Sequence, residues 1–143
     1  MAINFGNIPG NTPLNGFPTT GNFVGDSDQQ TLSNKRIDPR SLTSSNPSSL
    51  SPSINQADIV CATAQAQALT IGAPIGTPVE GNMFKIRILD NGSAQTLTFH
   101  SIYQGTTNLP LPTTTLGSTT VSLILTFQFD SDVSKWRLTE KTA

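Results

Sequence analysis

Between Ser118 and Asp130, the residues Val121, Leu123, Leu125, Phe127 and Phe129 stand at every second position. Only an extended strand gathers such a set on one face, because side chains alternate across a pleated backbone while a helix would scatter them. Met83–Asp90 repeats the pattern, with Phe84, Ile86 and Ile88 alternating against Met83, Lys85 and Arg87. Leu97 and Phe99 alternate with Thr96, Thr98 and His100. After a turn at Asp130-Ser131-Asp132, Trp136 and Leu138 point inward and Lys135 and Arg137 outward. The stretch Asp90-Asn91-Gly92-Ser93 predicts a tight hairpin into the Leu97–Phe99 segment, since Asn-Gly accepts the positive φ of a type I′ turn. The inward residues suffice for one apolar core.

Composition agrees with strands and loops. Charged residues are 12% of the 143, about half the roughly 25% of ordinary soluble domains, and Gly (11) and Pro (10) punctuate the chain too often for helices. Short apolar runs at Ala57–Thr63 and Ala68–Gly72, with Ile37, Leu42, Leu50 and Ile54 before or between them, predict further short strands. The expected fold class is all-β, a β-sandwich or barrel-like domain over residues 31–143. Residues 1–30 differ: they hold five Gly, three Pro and five Asn and no Lys or Arg. There Ile3, Phe5, Ile8, Leu14, Phe17 and Phe23 recur as apolar anchors at irregular spacing. No single helix or strand face gathers them, so an extended N-terminal arm that docks on a partner is expected.

Little here promises chemistry. The net charge of −1 excludes a nucleic-acid surface driven by bulk positive charge. No apolar run approaches the roughly 20 residues of a membrane-spanning helix, and the first residues lack the charged start and apolar core of a secretion signal. The single Cys has no partner for an internal disulfide. It lies within Ile59-Val60-Cys61-Ala62 and reads as a small buried side chain rather than a nucleophile. His100, the sole His, reads as a solvent-facing strand residue rather than a general base. Asp130 and Asp132 open like a calcium loop but lack its Gly and distal Glu, which leaves a hairpin turn. Asn91-Gly92-Ser93 matches a glycosylation acceptor, yet turn geometry explains it. No catalytic residue, cofactor or metal site is expected. The basic trio Lys35, Arg36 and Arg40 suits ion pairs with carboxylates of a neighbouring subunit or partner. Ile124, apolar on an otherwise polar strand face, is a candidate subunit contact.

Four segments carry a resemblance: TLSNKRIDPR (31–40), ALTIGAPIGTPVEGNMFKIRILDNGSAQTLTF (68–99), LPLPTTTLGSTTVSLIL (109–125) and FDSDVSKWRLTE (129–140). In order and spacing they resemble a β-rich domain of tailed-bacteriophage structural proteins. That family opens on a T-x-T-N-K-R-I-like stretch, continues through an ALTI…GTP…I-R-I-x-D-N-G core and LPTTT, and ends in D-S-K-W. Met83-Phe84 departs from its more usual polar–aliphatic pair, and Phe99-His100 stands where a Trp is common. The resemblance implies a non-enzymatic virion protein, most like a capsid cement (decoration) protein on the outer surface of the head. Its partner would be the major capsid protein, and the chain would act as a homotrimer. The arm anchors Ile3, Phe5, Ile8, Leu14, Phe17 and Phe23 would then bind the capsid. A tail-fibre or tail-associated receptor-binding component is the alternative. The absence of heptads or repeats expected of a fibre shaft favours cement. A small glycan-active enzyme is disfavoured, because no acid/base carboxylate pair stands out.

Overall fold

The computed structural model describes residue 36 and residues 38–142. The arm anchors, Lys35 and Ile37 therefore lie outside the described residues. All regular structure described is strand: β1 (Ser41–Ser45), β2 (Ser49–Leu50), β3 (Ile59–Gln65), β4 (Leu69–Ile71), β5 (Met83–Asp90), β6 (Leu97–Phe99), β7 (Tyr103–Gln104), β8 (Leu123–Asp130) and β9 (Lys135–Thr142). Six strands form a mixed sheet in the order β1-β3-β5-β8-β9-β7, and three form a parallel sheet in the order β2-β4-β6.

The strands do not meander. From β1 to β6 the chain alternates between the two sheets, and each strand pairs in parallel with the one two places before it. The chain thus winds, each turn laying one strand on the large sheet and one on the small. A further parallel bridge joins Ser53 to Ile75, where Ile75 N–H donates to the Pro52 carbonyl at 2.7 Å and Ile54 N–H to that of Ile75 at 3.1 Å. Then β8 runs antiparallel to β5, and β9 antiparallel to β8. The hairpin expected at Asp130–Asp132 is present: Asp130 pairs with Lys135, and Ser134 takes the left-handed conformation at φ 52°.

The hairpin expected at Asn91-Gly92 is not formed. Both edges of β5 are occupied, by β3 on one side and β8 on the other, so β6 pairs instead with β4 in the small sheet. The Asn-Gly turn chemistry is real, with Gly92 at φ 111°, but it makes a corner between sheets. Corners of successive turns stack. Asn46 (φ 46°) and Ala64 (φ 50°) hold corresponding positions after β1 and within β3. Asn46 Oδ1 accepts from Ala66 N–H at 2.8 Å. The Gln65 amide donates to the Pro47 carbonyl at 2.9 Å and the Gln67 carbonyl at 2.7 Å. Gln65 in turn pairs in register with Asp90, whose Oδ2 accepts from Gly117 N–H at 2.6 Å. Buried polar groups survive where hydrogen bonds replace water; here the Gln65 amide nitrogen and Asp90 Oδ2 tie one turn to the next, while Gln65 Oε1 and Asp90 Oδ1 are buried with no hydrogen-bond partner among the described residues.

Burial follows the alternation closely. Phe84, Ile86 and Ile88 of β5, Leu123, Leu125, Phe127 and Phe129 of β8, and Trp136 and Leu138 of β9 are buried. They share one core with Leu50, Leu69, Ile71 and Leu97 of the small sheet. Phe99 is only partly buried but packs against that core. Val121 departs from expectation, being 47% exposed. The Ser118 hydroxyl accepts from Thr120 N–H at 3.2 Å and Val121 N–H at 3.0 Å. This local turn bends the chain before β8 begins at Leu123. The LPTTT stretch covers the second edge of β6: Leu97 N–H donates to the Thr113 carbonyl at 2.8 Å, and Thr115 N–H to that of Gln95 at 2.9 Å.

Candidate functional site

The period-2 pattern that builds the core also builds a second surface, the outer face of the large sheet. Cross-strand register sets Ser41, Ile59, Lys85 and Thr126 in one row, and Thr43, Cys61, Arg87 and Ile124 in the next. All of these residues but Thr126 line an open depression of about 380 Å³. Its floor is apolar, from partly buried Ile59 and Ile124 and buried Cys61. Lys85 and Arg87 stand exposed over it, two positions apart on β5 and so on one face. Thr126, buried on this face, donates its hydroxyl to Glu140 Oε2 at 3.1 Å. Ile124, the expected contact residue, thus sits in a shallow apolar hollow flanked by cations. The sequence pattern marked Ile124 as exceptional but gave no sign of Ile59 or Cys61 beside it, because that adjacency comes from parallel pairing across long connections.

One border of the depression is β1, the edge of the large sheet. Ile59 N–H donates to the Arg40 carbonyl at 3.0 Å and Asn46 N–H to that of Thr63 at 2.8 Å. In a parallel ladder, alternate residues turn both backbone groups to the same neighbour. The even-numbered residues of β1 therefore face β3, and the backbone groups of Ser41, Thr43 and Ser45 face the edge that no described strand covers. The strand carries no charge, no Pro and no bulge, the usual devices that blunt an edge.

Of the basic trio, the structure describes Arg36 and Arg40. Lys35 lies outside the described residues, and Arg36 is exposed. Arg40 is engaged inside its own chain, where Nε and Nη2 fork onto Asp58 at 3.2 and 2.8 Å and Nη1 donates to the Asn55 carbonyl at 2.6 Å. Side-chain hydrogen bonding from Arg40, reinforced by its backbone N–H, holds the Asp58 carboxyl below its usual range. Arg40 is thus a clamp at the start of β1, and an intermolecular ion pair would have to compete with this fork.

The remaining candidates have structural roles. Exposed His100 follows β6, and its Nδ1 accepts from Ile102 N–H at 3.2 Å, closing the turn into β7. Cys61 is buried and unpaired in a disulfide. Asp130 accepts from Arg137 Nη1 at 3.1 Å beside the β8–β9 turn. This pair borders a second depression, of about 320 Å³, with Glu80, Thr106 and Gln128. Among the described residues no group of three His, Cys, Asp or Glu side chains is placed to hold a metal ion. No helix there is long and apolar enough to cross a membrane.

Sequence reasoning passed over Tyr103. It lies on β7, and its hydroxyl donates to the Gly72 carbonyl at 3.0 Å, tying the edge of the large sheet to the chain leaving β4. Its ring meets Phe127 at 4.9 Å and Phe99 at 5.7 Å between centroids. A lone Tyr in a loop-like stretch gives no periodic signal.

No protein-family model, curated protein or solved structure matches the chain.

Proposed function

We propose that the protein is a bacteriophage capsid cement protein. In this reading it binds the outer surface of the head and bridges neighbouring major capsid proteins, as a homotrimer with no enzymatic activity. The observation that carries the reading is the division of the chain. Residues 1–30 hold spaced apolar anchors and no Lys or Arg, and they precede a β-domain with an apolar core of its own among the described residues. In this reading the two sheets are the layers of a sandwich and residues 1–30 form an extended arm. Thirty extended residues reach up to about 100 Å, enough to cross between capsomers. The ordered resemblance over residues 31–140 supports a phage structural role. The single His occupied in a turn, and the open form of the two depressions among the described residues, favour binding over catalysis.

Sedimentation with stripped heads tests the proposal. The full chain should co-sediment in hundreds of copies per head and occupy threefold positions as trimers. A chain beginning at Thr31 should bind far more weakly. Phe5→Ala and Phe17→Ala should each cost about 1 kcal/mol or more of binding if these rings are anchors. Salt should matter little to the apolar anchors. A few copies associating with tails, or undiminished binding by the shortened chain, would overturn it.

A further inference from the structure

Two exposed patches of the β-domain complement each other, and they lie too far apart to meet within one chain. The first is the depression on the outer face of the large sheet. Among the described residues, Lys85 and Arg87 make no ion pair and no side-chain hydrogen bond. They stand exposed over Ile59, Cys61 and Ile124. Glu140 shares the row of Lys85, two strands away, but its Oε2 accepts from the Thr126 hydroxyl and it makes no ion pair with Lys85.

The second patch is the tip of the β8–β9 turn. Asp132 is the one carboxylate among the described residues with neither an ion pair nor a hydrogen bond. Val133 beside it is 49% exposed. The loop before β5 adds to this patch, because Gly81 N–H donates to the Phe129 carbonyl at 3.1 Å and Glu80 Oε2 accepts from Ser131 N–H at 2.7 Å. That loop brings a second carboxylate and the 63% exposed Val79. A carboxylate beside exposed valines thus answers two cations over an isoleucine floor. Neither patch can satisfy the other in its own chain. Register sets Lys85 opposite Thr126, four residues before Asp130, so the tip lies about 14 Å along the strand from the depression.

We propose that the β8–β9 turn of one copy seats in the depression of a second copy, with Asp132 between Lys85 and Arg87 and Val133 on the floor of Ile59 and Ile124. The contact joins unlike surfaces, so it runs head to tail, and copies related by a closing rotation form a ring that uses every tip and every depression. An exposed ion pair holds little by itself. Closing the ring makes its last contact intramolecular, which raises the effective concentration of the partners. A ring of three rests on the cement reading; the contact rests on the residues that form it.

Sedimentation velocity on the isolated full-length protein at rising concentration, combined with zero-length carbodiimide coupling, tests the contact. The reagent joins a carboxylate to an amine only where the two touch. An equimolar mixture of ¹⁵N-labelled and unlabelled chains is coupled, digested and read by mass spectrometry. The expected result is a concentration-dependent trimer and a Lys85–Asp132 product that joins unlike labels as often as like ones. The variant K85E/R87E should sediment as a monomer while the near-ultraviolet signal of Trp136 is unchanged, and K85E/R87E/D132K should associate again. A chain that stays monomeric at every concentration, a Lys85–Asp132 product of like labels only, or an oligomer that survives K85E/R87E would each overturn the proposal. A ring of another size with the mixed-label product would uphold the contact and count against the trimer of the cement reading. The measurement contains no heads, so head binding stands or falls separately.

Discussion

Leu125 and Tyr103 show how far single residues in this core can be reasoned about. Leu125 sits at the middle of β8 with its side chain fully buried, between the β5 and β9 neighbours that register places beside it. Truncation to Ala leaves a cavity the surrounding strands fill only in part, so Leu125→Ala should cost about 2–5 kcal/mol in chemical denaturation. Tyr103 offers a cleaner optical test because it is the only Tyr in the chain. Burial raises its phenol well above the ordinary value of 10.0. The folded state therefore holds a proton that the unfolded state releases above about pH 10. The stabilisation is complete below that pH and falls as pH rises beyond it. Phenolate absorbance should therefore appear together with loss of the Trp136 tertiary signal, rather than before it. Tyrosinate forming in a protein that stays folded would contradict the burial described for this ring.

At the scale of elements, the parallel register of β1 makes a prediction that a hairpin reading would not. The amides of Leu42 and Ser44 face β3 and should exchange slowly with solvent deuterium. Those of Ser41, Thr43 and Ser45 face the edge that no described strand covers and should exchange at rates near those of an unstructured chain. Uniform protection along β1 would mean that something covers the edge. Which faces are buried was legible in the sequence: period-2 alternation identified Met83–Asp90 with its bounds and the inward sets of β8 and β9. Partnership was not. Alternation assigns a strand a face, but the occupied edges of β5 decide its neighbours, and these come from chain far away in sequence. Hence Asn91-Gly92 had correct turn chemistry in the wrong role. Val121 continued the alternation on paper, and a serine-capped turn took it out of the strand. The same limit hid the candidate site, since Ile59, Lys85 and Ile124 meet only through pairing across long connections. Tyr103 and Gln65, buried without a periodic context, were silent for the same reason.

For the molecule as a whole, the core formed among the described residues is drawn from β2, β4, β6 and the inner face of the large sheet, and its earliest member is Leu50. A chain beginning at Thr31 should therefore unfold in one cooperative thermal transition, monitored together by Trp136 fluorescence and far-ultraviolet circular dichroism. A broad transition, or probes that fail to coincide, would show that the β-domain depends on what precedes it. Only β8 and β9 pair through a short turn; the other strand pairings close long stretches of chain, so folding should be slow for a domain of this size. The position of β5 between β3 and β8 also sets a timetable during protein synthesis. Its first neighbour has already left the ribosome when β5 emerges, but the second is still to be made, from Leu123 onward. At about 5–20 residues per second, the stretch from the end of β5 to the end of β8 takes roughly 2–8 s to translate. For that interval the nascent chain presents an unpaired strand edge beside Phe84, Ile86 and Ile88, and it is then, rather than after release, that this protein most needs a chaperone.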